Sequence, residues 1–309
     1  MPKHGSFFRA REMKAEKRNF RKYWPAYLFI LPTFVFIGVF FYQPFVASIS
    51  YSFYKWMGIG PKTYVGVGNY VSLFRDPRFW FSMRNILILT AAGIIKMLSF
   101  PMITAALIAN MRAQRFAYAL RSLFIFPIVV PGLVFLLLWK NVIFDPNIGV
   151  LNYLLKTVLG GRGLLFLQDP DIALLWVAVV GFPWIGALPF LVYLSAFQGI
   201  SKDIFDAAAI DGVSGIRRFL RIEFPMILDQ IKVLITLTII TTFQEYYALY
   251  VLTDGGPMST TLVPGLMLFK SAFEEYHFGY ASSVGVIMLL VMLVLSYINN
   301  RYVRSKVEY

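Results

Sequence analysis

Residues 23–54 read YWPAYLFILPTFVFIGVFFYQPFVASISYSFY, a run of 32 residues without a charge between Lys22 and Lys55. A helix that crosses a bilayer needs about 20 consecutive, mostly apolar residues. The run is long enough to span a membrane, and the basic residues before it suit a cytoplasmic anchor that faces anionic lipid. A basic tail can also bind nucleic acid, but its position directly before an apolar run favours the membrane.

The whole chain has the composition of a membrane protein. Of its 309 residues, 58% are hydrophobic and 15% are charged, and its mean hydropathy is +0.66. Soluble domains carry roughly 45–50% apolar and about 25% charged residues. The absence of cysteine excludes thiol chemistry and a disulfide scaffold. The two histidines, His4 and His277, are too far apart in sequence to suggest a metal pair, so we expect no metal site.

The pattern of apolar runs predicts an all-α polytopic protein with six transmembrane helices. The predicted spans lie at about 26–50, 85–110, 121–142, 172–197, 227–251 and 280–300. With both termini inside, the inner segments carry 18 Lys and Arg in 74 residues, and the outer segments carry 8 in 88. Because inner segments are richer in positive charge, we expect cytoplasmic N- and C-termini.

These spans also predict the domain organisation. Residues 1–25 form a basic cytoplasmic segment, residues 26–303 a six-helix domain, and residues 304–309 a cytoplasmic tail. The longest loop, of about 30 residues, is too short to fold alone, so we expect no soluble domain.

The most informative loop joins the fourth and fifth spans and reads ISKDIFDAAAIDGVSGIRRFLRIEFP over residues 200–225. Ser201 can cap a short helix, and the alanines that follow Asp206 would let another surface approach closely. Gly212 allows a turn, and a second helix would carry a protruding Phe219 and three exposed arginines. The segment predicts a helix–turn–helix along the membrane, although its composition alone fits a solvated amphipathic linker equally well.

The spacing in this loop resembles the EAA loop of ABC-importer permeases. That loop has Glu-Ala-Ala, a Gly four positions after the second Ala, nine residues, and then Ile-x-Leu-Pro. This chain has Asp206-Ala207-Ala208, then Gly212, nine residues, and Ile222-Glu223-Phe224-Pro225. The Asp211-Gly212 pair also matches the usual form. Asp206 replaces Glu and Phe224 replaces Leu, which keeps the charge and the apolar character.

Other segments resemble the sugar-transporting branch of the same family, of the maltose and glycerophosphate type. They include Val65–Tyr70 with Asn85 in the first outer loop, and Trp139–Gly149 with Asn152 after the third span. Leu252–Pro257 in the last outer loop belongs to the same set. The resemblance covers roughly residues 24–303 and implies the architecture of a type I importer permease.

The resemblance implies a subunit of a bacterial cell-membrane importer whose loop docks on a cytoplasmic ATPase. The partners it implies are a second homologous permease, an ATPase dimer and an extracytoplasmic sugar-binding protein. The loop residues that correspond to ATPase-coupling positions are Asp206, Ala207, Ala208, Asp211, Gly212, Phe219 and Pro225. The chain contains no Walker motif. We therefore expect it to be no enzyme and to hold no cofactor, with ATP bound by a partner subunit.

A candidate substrate path lies at the end of the fifth predicted span, in Phe243-Gln244-Glu245-Tyr246-Tyr247. Amide, carboxylate and phenol groups between aromatic rings suit a carbohydrate, because hydroxyls take hydrogen bonds and rings stack on the apolar sugar face. An interfacial aromatic belt is the alternative interpretation, although such belts rarely include a Gln-Glu pair.

Lys96 is a second candidate for the path, since it lies about 16 Å into the second predicted span at 1.5 Å per residue. Ionisable groups at that depth are costly and usually face a cavity or a partner. It either pairs with a neighbouring helix or subunit, or contacts an acidic or hydroxyl-rich substrate.

Two other function classes remain as alternatives. A proton- or sodium-coupled secondary transporter would need mid-membrane acids and inverted repeats. Glu245 is the only candidate acid well inside a predicted span, and clear repeats are absent. An integral-membrane enzyme would need a catalytic set of side chains, and the sequence offers no convincing one.

Overall fold

The computed structural model describes residues 20–303, and this part of the chain is almost entirely helical. The predicted basic segment, apart from its last residues, and the predicted tail lie outside the described residues. The α-helices are α1 Phe20–Ile37, α2 Gln43–Tyr51, α3 Gly68–Arg75, α4 Pro77–Leu98, α5 Phe100–Ala109, α6 Gln114–Ile125, α7 Gly132–Leu138, α8 Val150–Thr157, α9 Ala173–Val179, α10 Ala187–Gln198, α11 Lys202–Ile210, α12 Gly215–Arg218, α13 Phe224–Met226, α14 Leu228–Gln244, α15 Tyr247–Thr253, α16 Pro264–Phe269 and α17 Phe278–Tyr302. These helices confirm the all-α fold class.

Short irregular elements connect or extend several of these helices. The π-helical turns are Gly38–Tyr42, Trp139–Ile143, Phe219–Glu223 and Lys270–Glu274, and a 3₁₀ turn covers Phe126–Val129. Two strands, β1 Tyr54–Lys55 and β2 Thr63–Tyr64, pair antiparallel with Tyr54 opposite Tyr64. They form a small hairpin that follows the first apolar helix.

Three predicted spans correspond to helices that are long and apolar enough to cross a membrane. These helices are Trp24–Tyr51, Pro77–Ala109 and Phe278–Tyr302. The second begins earlier than the predicted residue 85, because Asp76 caps its first turn by accepting a hydrogen bond from the Arg78 amide at 2.9 Å. Pro77 at the first helical position favours the same start.

The third predicted span is a bent helix pair, and a second bend separates the predicted loop 200–225 from the fifth predicted span. Gln114–Val129 and Gly132–Ile143 meet at 93°, and Gly215–Met226 and Leu228–Gln244 meet at 69°. Pro131 lies in the first break, where proline cannot supply the amide that a continuous helix needs. If each pair counts as one span, the described residues hold five spans by length and composition.

The fourth predicted span, 172–197, is not one helix. It consists of α9 and α10, separated by residues 180–186. Gly181 has φ of +85° and Trp184 has φ of +58°, and Pro183 removes one amide donor. The run of 30 uncharged residues correctly indicates an apolar environment, but its Gly and Pro residues divide the helix.

The described residues separate into two compact units, divided between Ser50 and Tyr51. In the second unit, α5 packs along α10, and α14 packs against both α4 and α17. A β-carbon at Gly93 would lie 3.1 Å from a methyl of Thr238 and 3.3 Å from the Thr242 hydroxyl. Gly93 thus lets the second and fifth spans approach closely.

Three asparagines from the family-like segments fasten the loops of this unit. Asn85, which is buried, donates hydrogen bonds to the carbonyls of Thr260 at 2.9 Å and Leu262 at 2.8 Å. Asn69 donates to two carbonyls beside the β-hairpin, and buried Asn152 donates to three loop carbonyls. Loop carbonyls that have no backbone amide to bind need such side-chain donors. These asparagines therefore maintain the loop structure.

Candidate functional site

The predicted helix–turn–helix is present in the loop between α10 and α14. Its first helix, α11, starts at the predicted cap, where the Ser201 hydroxyl accepts a hydrogen bond from the Asp203 amide at 3.3 Å. Gly212 has φ of +69° and closes the helix, with the Val213 amide donating to the Ala208 carbonyl at 2.8 Å. A glycine just past a helix end relieves the strain of this left-handed conformation.

One side of this turn is open to solvent in the single chain. Asp206, Ala207, Asp211 and Gly212 are all exposed, and a β-carbon at Gly212 would meet nothing within 4 Å. Ile210, which the sequence analysis did not single out, is 87% exposed. Together with the exposed Ala207 and Gly212, it gives this side of the turn small and apolar groups. The feature of the sequence that could have indicated Ile210 is its position next to Asp211-Gly212.

Ala208 does not belong to this exposed side. It is only 3% exposed in the single chain, so its side chain faces the protein interior. The expectation that another surface approaches Ala208 is therefore wrong for this residue. Because adjacent residues of an α-helix differ by about 100° around its axis, Ala207 and Ala208 point in different directions.

The predicted protruding aromatic is also turned inward. Phe219 is half-buried, with its ring centroid 6.1 Å from that of Phe197 and 6.4 Å from that of Phe224. Pro225 is half-buried in α13, and the fifth span begins after the bend, at Leu228. Phe219 packs the loop against its own bundle, because three neighbouring rings bury more apolar surface together than one exposed ring does.

Arg218, expected to be exposed, is instead half-buried in an ion pair. Its Nε lies 2.7 Å from Oε1 of Glu223, a side chain that is 2% exposed. Its Nη2 donates to Oδ1 of Asn110 at 2.8 Å, and its guanidinium lies 4.8 Å from the Phe205 ring centroid. The sequence alone does not indicate these contacts. Glu223 is five positions after Arg218, which is not an α-helical spacing, and Asn110 is distant from both in sequence.

The predicted substrate-path segment coincides with a break in the fifth span. α14 ends at Gln244, Glu245 is extended, and α15 begins at Tyr247. Gln244, Glu245 and Tyr247 are exposed, whereas Tyr246 is half-buried and stacks on Phe269 with centroids 5.0 Å apart. Tyr246 and Tyr247 therefore do not share one continuous helix with Gln244.

Lys96 reaches the break in the fourth span. Its Nζ lies 3.4 Å from the Val180 carbonyl, at the end of α9, and 5.7 Å from the Trp184 ring centroid. Within residues 20–303 it forms no ion pair. The ammonium meets a free carbonyl and the negative end of a helix dipole, which favours the interpretation that Lys96 pairs with a neighbouring helix.

The structure brings the candidate residues into two groups. The coupling-loop residues lie together at α11 and its turn, while Lys96 and Glu245 lie on the two spans that meet at Gly93. Along the helices, Lys96 lies on one side of the Gly93 contact and Glu245 on the other. The described residues show no direct bond between them. Both are next to interrupted helices.

Comparisons with known proteins identify the family. The family described as binding-protein-dependent transport system inner membrane component matches residues 97–309. The probable ABC transporter permease YurN of Bacillus subtilis is 30% identical, over 91% of this chain and 97% of that protein. The multiple sugar-binding transport system permease MsmF of Streptococcus mutans is also 30% identical, over 91% of this chain and 95% of that protein.

A solved structure has the same fold. It is a bacterial alginate ABC transporter in complex with alginate pentasaccharide-bound periplasmic protein. The match covers 94% of this chain and 98% of the matched chain of that structure. The TM-score is 0.80 at 21% identity, so this likeness concerns the fold alone. Residues 97–309, which the family matches, include the whole loop 200–225 and both interrupted spans. The chain belongs to the inner-membrane permease family of binding-protein-dependent ABC transport systems.

Proposed function

We propose that this chain is the permease subunit of an ATP-driven sugar importer, with oligosaccharides as the favoured substrate class. The observation that carries the proposal is the exposed turn of Asp206, Ala207, Asp211 and Gly212 in a chain of this family. The name of MsmF refers to sugar binding, which supports a sugar as the substrate.

The substrate path is proposed to pass the two interrupted spans. Irregular backbone at membrane depth is tolerated only where it is buried in protein or lines a water-filled cavity. Gln244 and Glu245 are exposed at one interruption, and Lys96 reaches the other. Tyr247 offers an exposed ring at the first interruption, and Tyr246 stacks on Phe269 there. Carboxylate, amide and ring groups together suit a polyhydroxylated substrate.

The coupling step is proposed to use the exposed side of α11 and its turn. Asp206 and Asp211 supply negative charge there, while Ala207 and Gly212 allow a close approach by the ATPase surface. Phe219 packs against the apolar cluster beneath this surface, Ala208 is buried, and Pro225 is half-buried after the turn. ATP is bound and hydrolysed by the partner, and its closure moves the loop and opens the cavity by rigid-body rotation of helices.

The proposed assembly contains a second homologous permease, an ATPase dimer and an extracytoplasmic sugar-binding protein. The excess of Lys and Arg in alternate loops supports cytoplasmic N- and C-termini in the bacterial cell membrane.

The test is uptake by the assembled complex in proteoliposomes. Labelled glucose, maltose, maltotriose, raffinose and an oligouronate are supplied outside with the binding protein, and ATP is enclosed. We expect uptake that requires enclosed ATP and the binding protein and that survives a protonophore. Uptake that follows a proton or sodium gradient without ATP would instead identify a secondary transporter. The purified chain alone should hydrolyse no ATP.

A further inference from the structure

One ion pair connects three elements that the coupling loop must move together. Arg218, at the end of α12, binds Glu223 at 2.7 Å and Asn110 at 2.8 Å. Asn110 is the C-cap of α5, where its Nδ2 also donates to the Ala106 carbonyl at 2.9 Å. The Arg218 guanidinium packs over Phe205 of α11 at 4.8 Å. The coupling helix, the second span and the start of the fifth span therefore share one side chain.

A π-helical turn makes this ion pair possible. In an α-helix of 3.6 residues per turn, a residue five positions further on lies about 140° away around the axis. The Phe219–Glu223 turn is π-helical, and the Phe224 amide donates to the Phe219 carbonyl five positions earlier. This wider turn brings Arg218 and Glu223 onto one face. Such turns often occur at functional positions.

The environment of Glu223 makes the pair hard to separate. Its side chain is 2% exposed, and its second oxygen accepts a weaker hydrogen bond from Asn110 at 3.4 Å. A buried carboxylate that loses its partner carries an uncompensated charge, which is strongly unfavourable. Separation of α12 from α5 would break the contact of Arg218 with Asn110, so it carries a cost in free energy.

We propose that Arg218, Glu223 and Asn110 form a latch that transmits motion from the coupling helix to the inner end of the second span. The inference rests on the proposed function and adds positioning residues to it. None of the three is proposed to touch substrate or nucleotide. Phe205 holds the latch on the coupling helix, and Asn110 holds it on α5.

The test separates transport from ATP hydrolysis. Glu223→Gln, Arg218→Gln and Asn110→Ala are compared with the wild type in proteoliposomes, using the sugar of the panel above that the wild type carries. Arg217→Gln and Arg221→Gln are matched controls, because both arginines are exposed on the same segment. Assembly with the ATPase, hydrolysis rate and uptake are measured on the same preparation.

We expect the latch variants to retain hydrolysis while sugar carried per ATP falls roughly tenfold, the size of a typical allosteric coupling. The Arg218→Gln and Glu223→Gln double variant should be no worse than either single variant, since both remove the same contact. The two control variants should keep the wild-type ratio. A purely structural role would lower the yield of complex but would leave this ratio unchanged.

Unchanged ratios in assembled latch variants, or equal losses in the controls, would overturn the latch. If Glu223→Gln does not assemble, Asn110→Ala decides the question, because it keeps the ion pair and removes the tie to α5. A normal ratio in Asn110→Ala would then refute the proposal. Failure of the proposed function is distinct from these outcomes, because the wild type itself would show no ATP-driven uptake.

Discussion

Oε1 of Glu245 accepts a hydrogen bond from the backbone amide of Ala248 at 2.9 Å, across the point where the fifth span is interrupted. The break at this point contains neither Gly nor Pro. A carboxylate that satisfies an amide in the first turn of α15 stabilises the new helix start, as side-chain caps do. Glu245 therefore both shapes the interruption and presents a charge beside it.

This dual role gives a first prediction. Glu245→Ala should lower sugar uptake or raise the half-saturating concentration while assembly with the ATPase stays intact. The lost cap costs about 1 kcal/mol and the lost carboxylate removes a hydrogen-bond acceptor for sugar hydroxyls. Glu245→Gln keeps an acceptor oxygen and should be milder. Uptake kinetics on reconstituted complex measure both effects.

The direction that Glu245 faces can be measured separately. The chain contains no cysteine, so Glu245→Cys introduces a single labelling site. Reaction with a water-soluble thiol reagent in at least one nucleotide state is expected. Labelling only by a lipid-soluble reagent in every state would place the residue toward lipid and contradict the path through the fifth span.

Ala207 and Ala208 provide a matched pair of adjacent positions. Ala208→Leu should overpack the interior, destabilise the chain by about 1–3 kcal/mol and lower the amount of folded protein. Ala207→Leu should leave the chain folded but weaken its association with the ATPase, because this side chain is exposed. Thermal stability and ATPase co-purification distinguish the two results. The same defect in both variants would argue against the exposed side as the docking surface.

Substitution of Lys96 tests whether its charge in the second span stabilises the fold or contacts the substrate. Lys96→Met should destabilise the subunit by about 1–3 kcal/mol, because the Val180 carbonyl loses its donor in a half-buried place. If the ammonium only holds the broken span, uptake of neutral and acidic sugars should fall equally. A selective loss of oligouronate uptake would instead show contact with an acidic substrate.

Asn85 offers a test of loop stability away from both sites. Asn85→Ala removes the donors to Thr260 and Leu262 and leaves two loop carbonyls without them. We expect a loss of about 1–3 kcal/mol, visible as a lower melting temperature of the detergent-solubilised protein. Asn85→Asp should be no better, since a carboxylate cannot donate to these carbonyls. A melting temperature equal to wild type would show that other contacts hold the loop.

The Asp76 cap adds a dependence on pH. Burial raises the pKa of Asp76, but hydrogen bonds and charge from Arg78 outweigh it and hold the pKa below its ordinary value. A carboxyl with a lowered pKa stabilises the fold fully above its unfolded pKa, and the effect is lost as pH falls through the folded one. Asp76→Asn should therefore show a smaller loss of stability on acidification below about pH 4 than the wild type.

The sequence by itself determined the fold class and the place of the candidate loop. Long apolar runs have no stable alternative to helices in a bilayer, because every backbone amide and carbonyl must be satisfied within the segment. The spacing from Asp206 to Pro225 is likewise readable along the chain, since it depends only on order. The cap at Ser201 and the turn at Gly212 follow from local conformational preferences, and the structure has both.

Only the tertiary structure decided which side chains of that loop face inward. Ala207 and Ala208 are chemically identical, and burial of one of them depends on the neighbouring helices. Arg218 and Glu223 meet because a π-helical turn replaces an α-helical one, and Asn110 joins them from 113 residues away from Glu223 in sequence. Helical periodicity defines the faces of a segment, but packing against distant elements decides which face becomes the interior.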